Sequence, residues 1–221
     1  MEQIKSETIK IVTPVGTRFR YSWLVTPDEY KGVEKWKTEA IIPVGTKVNA
    51  ADGKEHEASE YIATQLENLI EGWKAQLKAA FPKREFTLTK SQKTGKPSFP
   101  FSFEDEGLII RFKKNVMGVK CKNSPITMFK HDPMTGQNLL MTEEQRHEMD
   151  KISPETTGQI SFLASGYDAG ANGVGIKCMP LSICFREIVP FNGGASDFET
   201  TEPASYEEEA PIPPTPTAAD F

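Results

Sequence analysis

Basic and aromatic side chains alternate in four short stretches of the 221-residue chain. The stretches are TRFRYSW (17–23), EKWKT (34–38), IIRFKK (109–114) and MFKH (128–131). Proteins that bind single-stranded nucleic acid combine cations that contact phosphates with aromatic rings on which bases stack. The pattern therefore indicates a surface for single strands. The competing interpretation is a hydrophobic core, because a barrel buries one face of every strand, and it fits Phe19 and Phe112 best.

Residue types that carry catalysis or bind metal ions form no recognisable motif. The histidines are His56, His131 and His147, and neither HEASE nor HEMDK supplies the second histidine of the HExxH zinc motif. The three cysteines form no CxxC pair, which argues against a disulfide framework and favours a reducing compartment. The run GYDAGANGVG lacks the Lys-Ser/Thr end of a phosphate-binding loop. We therefore predict no cofactor, no metal and no enzymatic activity, with an enzyme site built by residues 131–151 as the alternative.

Charge is distributed unevenly along the chain. The whole sequence has 26 basic and 31 acidic residues, a net charge of −5. Residues 197–221 contain seven of the acids and no Lys or Arg, so residues 1–196 carry a net charge of +2. Such asymmetry is typical of an interaction tail or of a nucleic-acid-binding protein. We predict a folded domain over 1–196 and a disordered acidic tail over 197–221.

Strand and helix signals indicate how the first half positions these residues. The β-branched and aromatic residues of 8–25 predict a strand pair or one bent strand. Because side chains alternate along a strand, Phe19, Tyr21 and Trp23 should share one face and Arg18 and Arg20 the other. TPDEYKG should form a turn, and KWKTEAIIPV the next strand. Apolar residues at helical spacing over 56–81 predict one long amphipathic helix.

The second half is again strand-like. Residues 86–122 predict strands, with Phe99, Phe101 and Phe103 on one face if the chain is extended there. KHDPMTGQN predicts a hairpin tip, MTEEQRHEMDKI a short exposed helix or lid, and residues 157–191 two long strands with a Gly-rich connection. Many strands and one helix predict a mainly β oligonucleotide-binding (OB) fold, a small barrel with one long inserted α-helix. We expect neither a signal peptide nor a membrane span.

Taken in order, these stretches resemble the replicative single-stranded DNA-binding proteins of T7-like phages. The resemblance rests on RFRYSWLVTPDEY followed by WKTEAIIP, the long helix, KPSFPFSFEDEG, the last two strands, and an acidic tail ending in Asp-Phe. It implies an OB barrel that coats single-stranded DNA during phage replication in the cytoplasm of the infected bacterium. It also implies that the tail contacts the phage DNA polymerase and helicase-primase.

The resemblance also implies roles for individual residues. Trp36 and Lys37 match an aromatic-Lys pair of the family, and Tyr167 matches a tyrosine that ends the penultimate strand. Tyr21 and Trp23 match aromatic residues before the Pro-Asp turn. The chain departs from the family at Val33, where a basic residue is frequent, and in a tail that is less acidic and diluted with prolines.

We therefore predict sequence-independent binding of single-stranded DNA. Predicted phosphate contacts are Arg18, Arg20, Lys37, Arg111, Lys113 and Lys177, and predicted stacking residues are Trp36, Tyr167 and Tyr21. The tail, through Glu207, Glu208, Glu209, Asp220 and Phe221, should compete with DNA for the basic surface and contact replication proteins. One alternative is a DNA-annealing or recombination mediator, active in recombination and repair, that also binds duplex DNA. A homodimer is also left open.

Overall fold

The computed structural model describes residues 4–50, 52–91, 94–118, 121–150 and 152–191. The tail predicted over 197–221, with Glu207, Glu208, Glu209, Asp220 and Phe221, lies outside the described residues. In chain order the strands are β1 (Thr8–Val12), β2 (Thr17–Tyr30), β3 (Val33–Pro43), β4 (Lys47–Asn49), β5 (Glu55–Glu57), β6 (Phe101–Glu104), β7 (Gly107–Asn115), β8 (Thr127–His131), β9 (Asn138–Leu140), β10 (Thr157–Asp168) and β11 (Val174–Glu187). The α-helices are α1 (Ala58–Ala80) and α2 (Glu143–His147), and short 3-10 turns lie at Glu148–Asp150 and Gly170–Asn172.

Nine of these strands form one large sheet, in the order β6-β7-β3-β2-β10-β11-β8-β9, with β1 paired to β10 beside β2. All its ladders are antiparallel except that of β8 with β11. The mainly β class with one long helix is confirmed. The predicted closed barrel is wrong, because within the described ranges no ladder joins the edge strands β6 and β9. Both edge strands are short, so they expose little unpaired backbone.

The predicted helix is α1, which packs its apolar side onto the sheet. Ile62, Leu66 and Ile70 join the core cluster that also contains Phe19 and Phe112. The two phenylalanines are fully buried and make edge-to-face contacts with Phe185 and Phe162, at centroid distances of 5.7 and 4.9 Å. Each buried ring stabilises the fold by about 1.5–3 kcal/mol. The core interpretation of both residues is confirmed.

The turn predicted within TPDEYKG (26–32) is confirmed, and it lies at the end of that stretch. Strand β2 continues to Tyr30, which pairs with Val33 of β3. The two intervening residues, Lys31 and Gly32, have φ angles of 53° and 73°. Two successive positive φ angles define the hairpin turn whose twist matches that of its strands, and glycine adopts this conformation without strain. The Lys31–Gly32 pair therefore reverses the chain, and the earlier residues of the stretch continue β2.

The predicted alternation in β2 is broken by a bulge. Arg20 pairs with Glu39 and Trp23 with Lys37, so three steps on β2 are matched by two on β3. The extra residue sits beside Tyr21, whose φ of 50° is uncommon for a side chain other than glycine. Phe19, Tyr21 and Trp23 therefore do not share a face. Beyond the bulge, Trp23 projects from the same side of the sheet as Arg20.

Residues 86–100 of the predicted strand-like stretch form only isolated bridges in their described part, at Leu88, Lys90 and Pro97, and the later elements of the second half follow the prediction. β10 and β11 are the two long strands, joined by the 3-10 turn at Gly170–Asn172. β8 and β9 form the hairpin around the KHDPMTGQN tip. The short helix α2 begins at a capping box in which Thr142 and Gln145 each accept a hydrogen bond from the other's backbone N–H.

Candidate nucleic-acid interface

One side of β2, β3, β7 and β6 carries most of the predicted phosphate contacts. Directly opposed residues of an antiparallel pair project to the same side, and the register aligns Arg20 with Glu39, Glu39 with Arg111, and Lys37 with Lys113. We call this side, with the adjoining β6–β7 turn, the charged face. Its cations are Arg18, Arg20, Lys35, Lys37, Arg111 and Lys113, and its carboxylates are Asp28, Glu39, Glu104 and Glu106.

Two arginines and two glutamates of the charged face form a closed ring of ion pairs. Glu39 Oε2 is 2.8 Å from Arg20 Nε, and Glu39 Oε1 is 3.2 Å from Arg111 Nε. Glu104 completes the ring, at 3.4 Å from Arg111 Nη2 and 3.3 Å from Arg20 Nη2. The hydrogen bond to Glu39 is the main cause that raises the pKa of Arg20. These arginines already have carboxylate partners before any phosphate arrives.

Arg18 is also paired within the protein. Its Nη2 lies 2.6 Å from Glu106 Oε2, and Glu106 Oε1 lies 3.6 Å from Arg20 Nη1. The turn between β6 and β7 thus places a third carboxylate beside the arginine ring. The three predicted arginine contacts are brought together, and all three are neutralised by nearby acids.

The lysines form a separate group at the other end of the charged face. Lys37 is paired with Asp28, whereas Lys35 and Lys113 make no ion pair with any residue the structure describes. Partial exclusion of water, followed by repulsion from Lys37 and Lys35, lowers the pKa of Lys113. A cluster of like charges partly shielded from water is stabilised by an incoming anion. We call Lys35, Lys37 and Lys113 the lysine cluster; Lys35 was not among the predicted contacts.

Exposed aromatic rings lie beside these cations. Trp23, directly opposite Lys37, is 47% exposed, and Tyr21 is 71% exposed. The guanidinium of Arg20 lies 5.4 Å from the centre of the Tyr21 ring. Such rings offer faces on which bases can stack. Trp23 was not among the predicted stacking residues, because the bulge that turns it outward leaves no simple sequence signal.

Trp36, a predicted stacking residue, lies in the hydrophobic core rather than on the charged face. It is only 3% exposed, belongs to the core cluster, and donates a hydrogen bond from Nε1 to the carbonyl of Val25 at 3.3 Å. Alternation along β3 directs Lys35 and Lys37 outward and therefore Trp36 inward. Buried Thr38, Ala40 and Ile42 follow it on the same side, a period-two signal that was readable from the sequence. We leave Trp36 out of the candidate interface.

A groove of about 280 Å³ lies where β7 approaches β11. It is lined by Ser98, Phe99, Pro100, Arg111, Lys113, Tyr167, Ile176, Lys177 and Cys178. Four predicted contacts, Arg111, Lys113, Tyr167 and Lys177, meet here although they come from three strands. Lys177 is exposed and, within the described part of the chain, has no ion-pair partner. Phe99, which stacks on Phe101 at 5.5 Å, adds a ring that the prediction did not include.

Tyr167 is held in the groove by its neighbours. Trp73 of α1 donates a hydrogen bond from Nε1 to the Tyr167 carbonyl at 3.1 Å. The preceding residue must be small, because a Cβ on Gly166 would lie 2.5 Å from the Trp73 ring. At the other end of the side chain, Tyr167 Oη lies 3.4 Å from Thr89 Oγ1. The Gly-containing segment thus lets the helix support the end of β10.

Catalytic and metal-binding groups are sparse in what the structure describes. Those residues contain no cluster of three His, Cys, Asp or Glu side chains able to hold a metal ion. Burial raises the pKa of the Cys178 thiol to about 12, which keeps it in the unreactive protonated form. None of the described helices combines the length and apolar character needed to cross a membrane.

Comparison with known proteins shows a similarity in fold. No protein-family model matches the chain. No curated protein matches it in sequence. Among solved structures, it is similar to gp2.5, a single-stranded DNA-binding protein encoded by bacteriophage T7, with a TM-score of 0.54 and 15% identity over 84% of this chain and 96% of that one. The single-stranded DNA-binding protein of bacteriophage Enc34 matches with a TM-score of 0.45 and 15% identity over 88% of each chain.

The similarity in fold to gp2.5 of bacteriophage T7 agrees with the family that the sequence motifs resemble. At 15% identity, the similarity to gp2.5 concerns the fold. The mainly β fold with one long helix that was expected from the resemblance is present, whereas the described strands do not close into the expected barrel. The contacts with DNA remain predictions that depend on the geometry of the charged face and the groove.

Proposed function

We propose that this protein binds single-stranded DNA, largely independently of base sequence. The observation that carries the proposal is the groove between β7 and β11, where Lys113 and Lys177 lie beside the rings of Tyr167 and Phe99. Phosphates would bind the two ammonium groups, and bases would stack on the two rings. Stacking accepts any base because every base has a π face, so this arrangement favours binding without sequence preference.

The charged face extends the binding path beyond the groove. Lys113 belongs to both, and Lys35 and Lys37 continue from it across the sheet to Trp23. A strand leaving the groove would meet cations first and then an exposed ring. The similarity in fold to gp2.5, which is a single-stranded DNA-binding protein, supports this function. We accordingly propose an open OB-type fold acting in phage DNA replication, in the cytoplasm of the host.

The acidic residues 197–221 complete the proposal. With a net charge of −7, this segment is a candidate competitor for the cations of the folded domain over 1–196. Glu207, Glu208 and Glu209 would mimic phosphates. Asp220 and Phe221 would anchor the phage DNA polymerase or helicase-primase when DNA displaces the segment.

The alternative function in DNA annealing or recombination includes binding of duplex DNA. The pairing of Arg18, Arg20 and Arg111 with carboxylates leaves few cations of the charged face for the dense phosphates of a duplex. Single-strand binding is therefore the function that the charge distribution favours. A homodimer is compatible with this function and stays a prediction.

The test is a titration followed by fluorescence anisotropy. Labelled oligo-dT, a mixed-sequence single strand and a duplex of the same length are compared at several salt concentrations. We expect similar affinity for both single strands, weaker binding of the duplex, and a linear fall of log affinity with log salt of about 0.7 per phosphate neutralised. Equal affinity for the duplex would favour the annealing alternative. Failure to bind any single strand would rule out the proposed function.

A further inference from the structure

Glu39 occupies the centre of the charged face. Each of its two oxygens is bonded to a different arginine, Oε2 to Arg20 and Oε1 to Arg111. The side chain is only 19% exposed, and so is that of Arg20. Ion pairs that are partly shielded from water are stronger than fully exposed ones, because water screens the charges less. Glu39 therefore holds two of the predicted phosphate contacts in place within the protein.

Glu39 also opposes DNA directly. It lies two residues from Lys37 on β3, on the same side of the sheet, which corresponds to about 7 Å along the strand. A phosphate bound at the lysine cluster would therefore approach a carboxylate of like charge. A phosphate that reached Arg20 or Arg111 would have to displace a carboxylate, and Glu39 would be left without a partner.

We propose that Glu39 limits the affinity of the charged face for single-stranded DNA, and that Glu104 assists it. The ring keeps Arg20 and Arg111 occupied, so phosphates bind at Lys35, Lys113 and Lys177 rather than at the arginines. Removal of the charge on Glu39 leaves Arg20 and Arg111 with only the more exposed carboxylates of Glu104 and Glu106, which a phosphate displaces more easily. A restrained affinity suits a protein whose DNA must be released again. This inference rests on the proposed function.

The test compares the full-length wild-type protein with Glu39→Gln and a matched control, Glu67→Gln. Glu67 is exposed on α1, outside the charged face, and makes no ion pair with a described residue. Both variants change the net charge equally. At low salt we expect Glu39→Gln to bind oligo-dT at least about threefold more tightly than wild type, with a salt slope steeper by about 0.7 for each phosphate gained. Glu67→Gln should change the affinity much less, because Glu67 contacts no cation of the charged face, and any long-range effect of its charge should disappear as the salt concentration is raised.

Thermal melting of each variant shows whether the fold is intact. If Glu39→Gln is unfolded, Glu104→Gln on the edge strand β6 is measured instead. It too should bind oligo-dT more tightly than the wild type. Affinity and salt slope equal to those of Glu67→Gln would overturn the inference and leave the proposed function standing. Weaker binding by a folded Glu39→Gln would overturn it too, because Glu39 would then orient the arginines for DNA. If none of the proteins binds, the proposed function fails and the inference fails with it.

Discussion

Lys113 of β7 lies directly opposite Lys37 of β3, so two ammonium groups project from the same side of adjacent strands. Like charges in this relationship destabilise a sheet. Asp28 compensates Lys37, but Lys113 has no such partner among the residues the structure describes. The position is best explained by a ligand that supplies negative charge, and DNA phosphate is the ligand we propose.

Replacing Lys113 should weaken DNA binding without lowering the stability of the fold. We expect Lys113→Gln to weaken binding of oligo-dT and to reduce the salt slope by about 0.7, the contribution of one phosphate on a single strand. The melting temperature should not fall, because the substitution removes repulsion from Lys37. Lys54→Gln, in the separate β4–β5 hairpin, is the control with the same change in charge. A variant that binds with wild-type affinity and slope would remove Lys113 from the interface.

The affinity for DNA should depend on pH through the titration of Lys113. The pKa of Lys113 is lowered from 10.5, chiefly by desolvation. Between the lowered pKa and 10.5 the unfolded chain binds more protons than the folded protein, so this residue's contribution to stability rises with pH there. A bound phosphate favours the charged lysine, so binding takes up a proton in that window and affinity falls as pH rises through it.

The matched variant for the pH measurement is Lys113→Arg. Arginine keeps its charge throughout this pH range. Its affinity for oligo-dA, whose bases do not ionise in this pH range, should therefore fall less than that of the wild type, with circular dichroism confirming that both proteins remain folded. Parallel pH profiles for the two proteins would show that Lys113 does not titrate in contact with DNA.

The ring of Tyr167 should contribute through stacking. Tyr167→Ala should weaken binding by about 1–3 kcal/mol. Tyr167→Phe keeps the ring and loses only the 3.4 Å contact with Thr89, so it should bind nearly as well as the wild type. The measurement is the same anisotropy titration, with melting curves to verify folding. If Tyr167→Ala is folded and binds with unchanged affinity, no DNA base stacks on the Tyr167 ring.

Trp36 should behave as a core residue. Trp36→Ala should lower the free energy of unfolding by about 3–5 kcal/mol, because it leaves a cavity and removes the partner of the Val25 carbonyl. Trp36→Phe, which fills most of the space, should lower the free energy of unfolding by less. Urea denaturation measures both variants. A Trp36→Ala protein with wild-type stability and weakened DNA binding would instead return this ring to the stacking surface.

Deleting residues 197–221 should increase affinity for single-stranded DNA. The deletion changes the net charge from −5 to +2 and removes the proposed competitor. The effect should be largest at low salt, where screening is weakest. Deletion of Phe221 alone removes no side-chain charge, so it should leave DNA affinity unchanged and weaken a polymerase pull-down. Equal affinity of full-length and shortened proteins at low salt would contradict the competition.

Local sequence patterns determined several elements. The helical spacing of apolar residues predicted α1 to within two residues of its observed bounds, Ala58–Ala80. The Gly-rich run between two β-branched stretches predicted β10 and β11. Alternating basic and aromatic residues identified β2, β3 and β7, which carry the charged face. These signals could be read because helix periodicity and strand propensity depend on residues close in the chain.

The tertiary structure alone decided which side chains meet. The bulge at Tyr21 turned Trp23 toward Lys37, against the predicted alternation. Glu104, from a strand far along the chain, closed the ring around Arg20 and Arg111. Strand register, bulges and cross-strand ion pairs depend on contacts between distant segments, and a shift of one residue moves a side chain to the other face. The sequence therefore indicated which strands carry cations, and only the folded sheet decided which of those cations are free to bind phosphate.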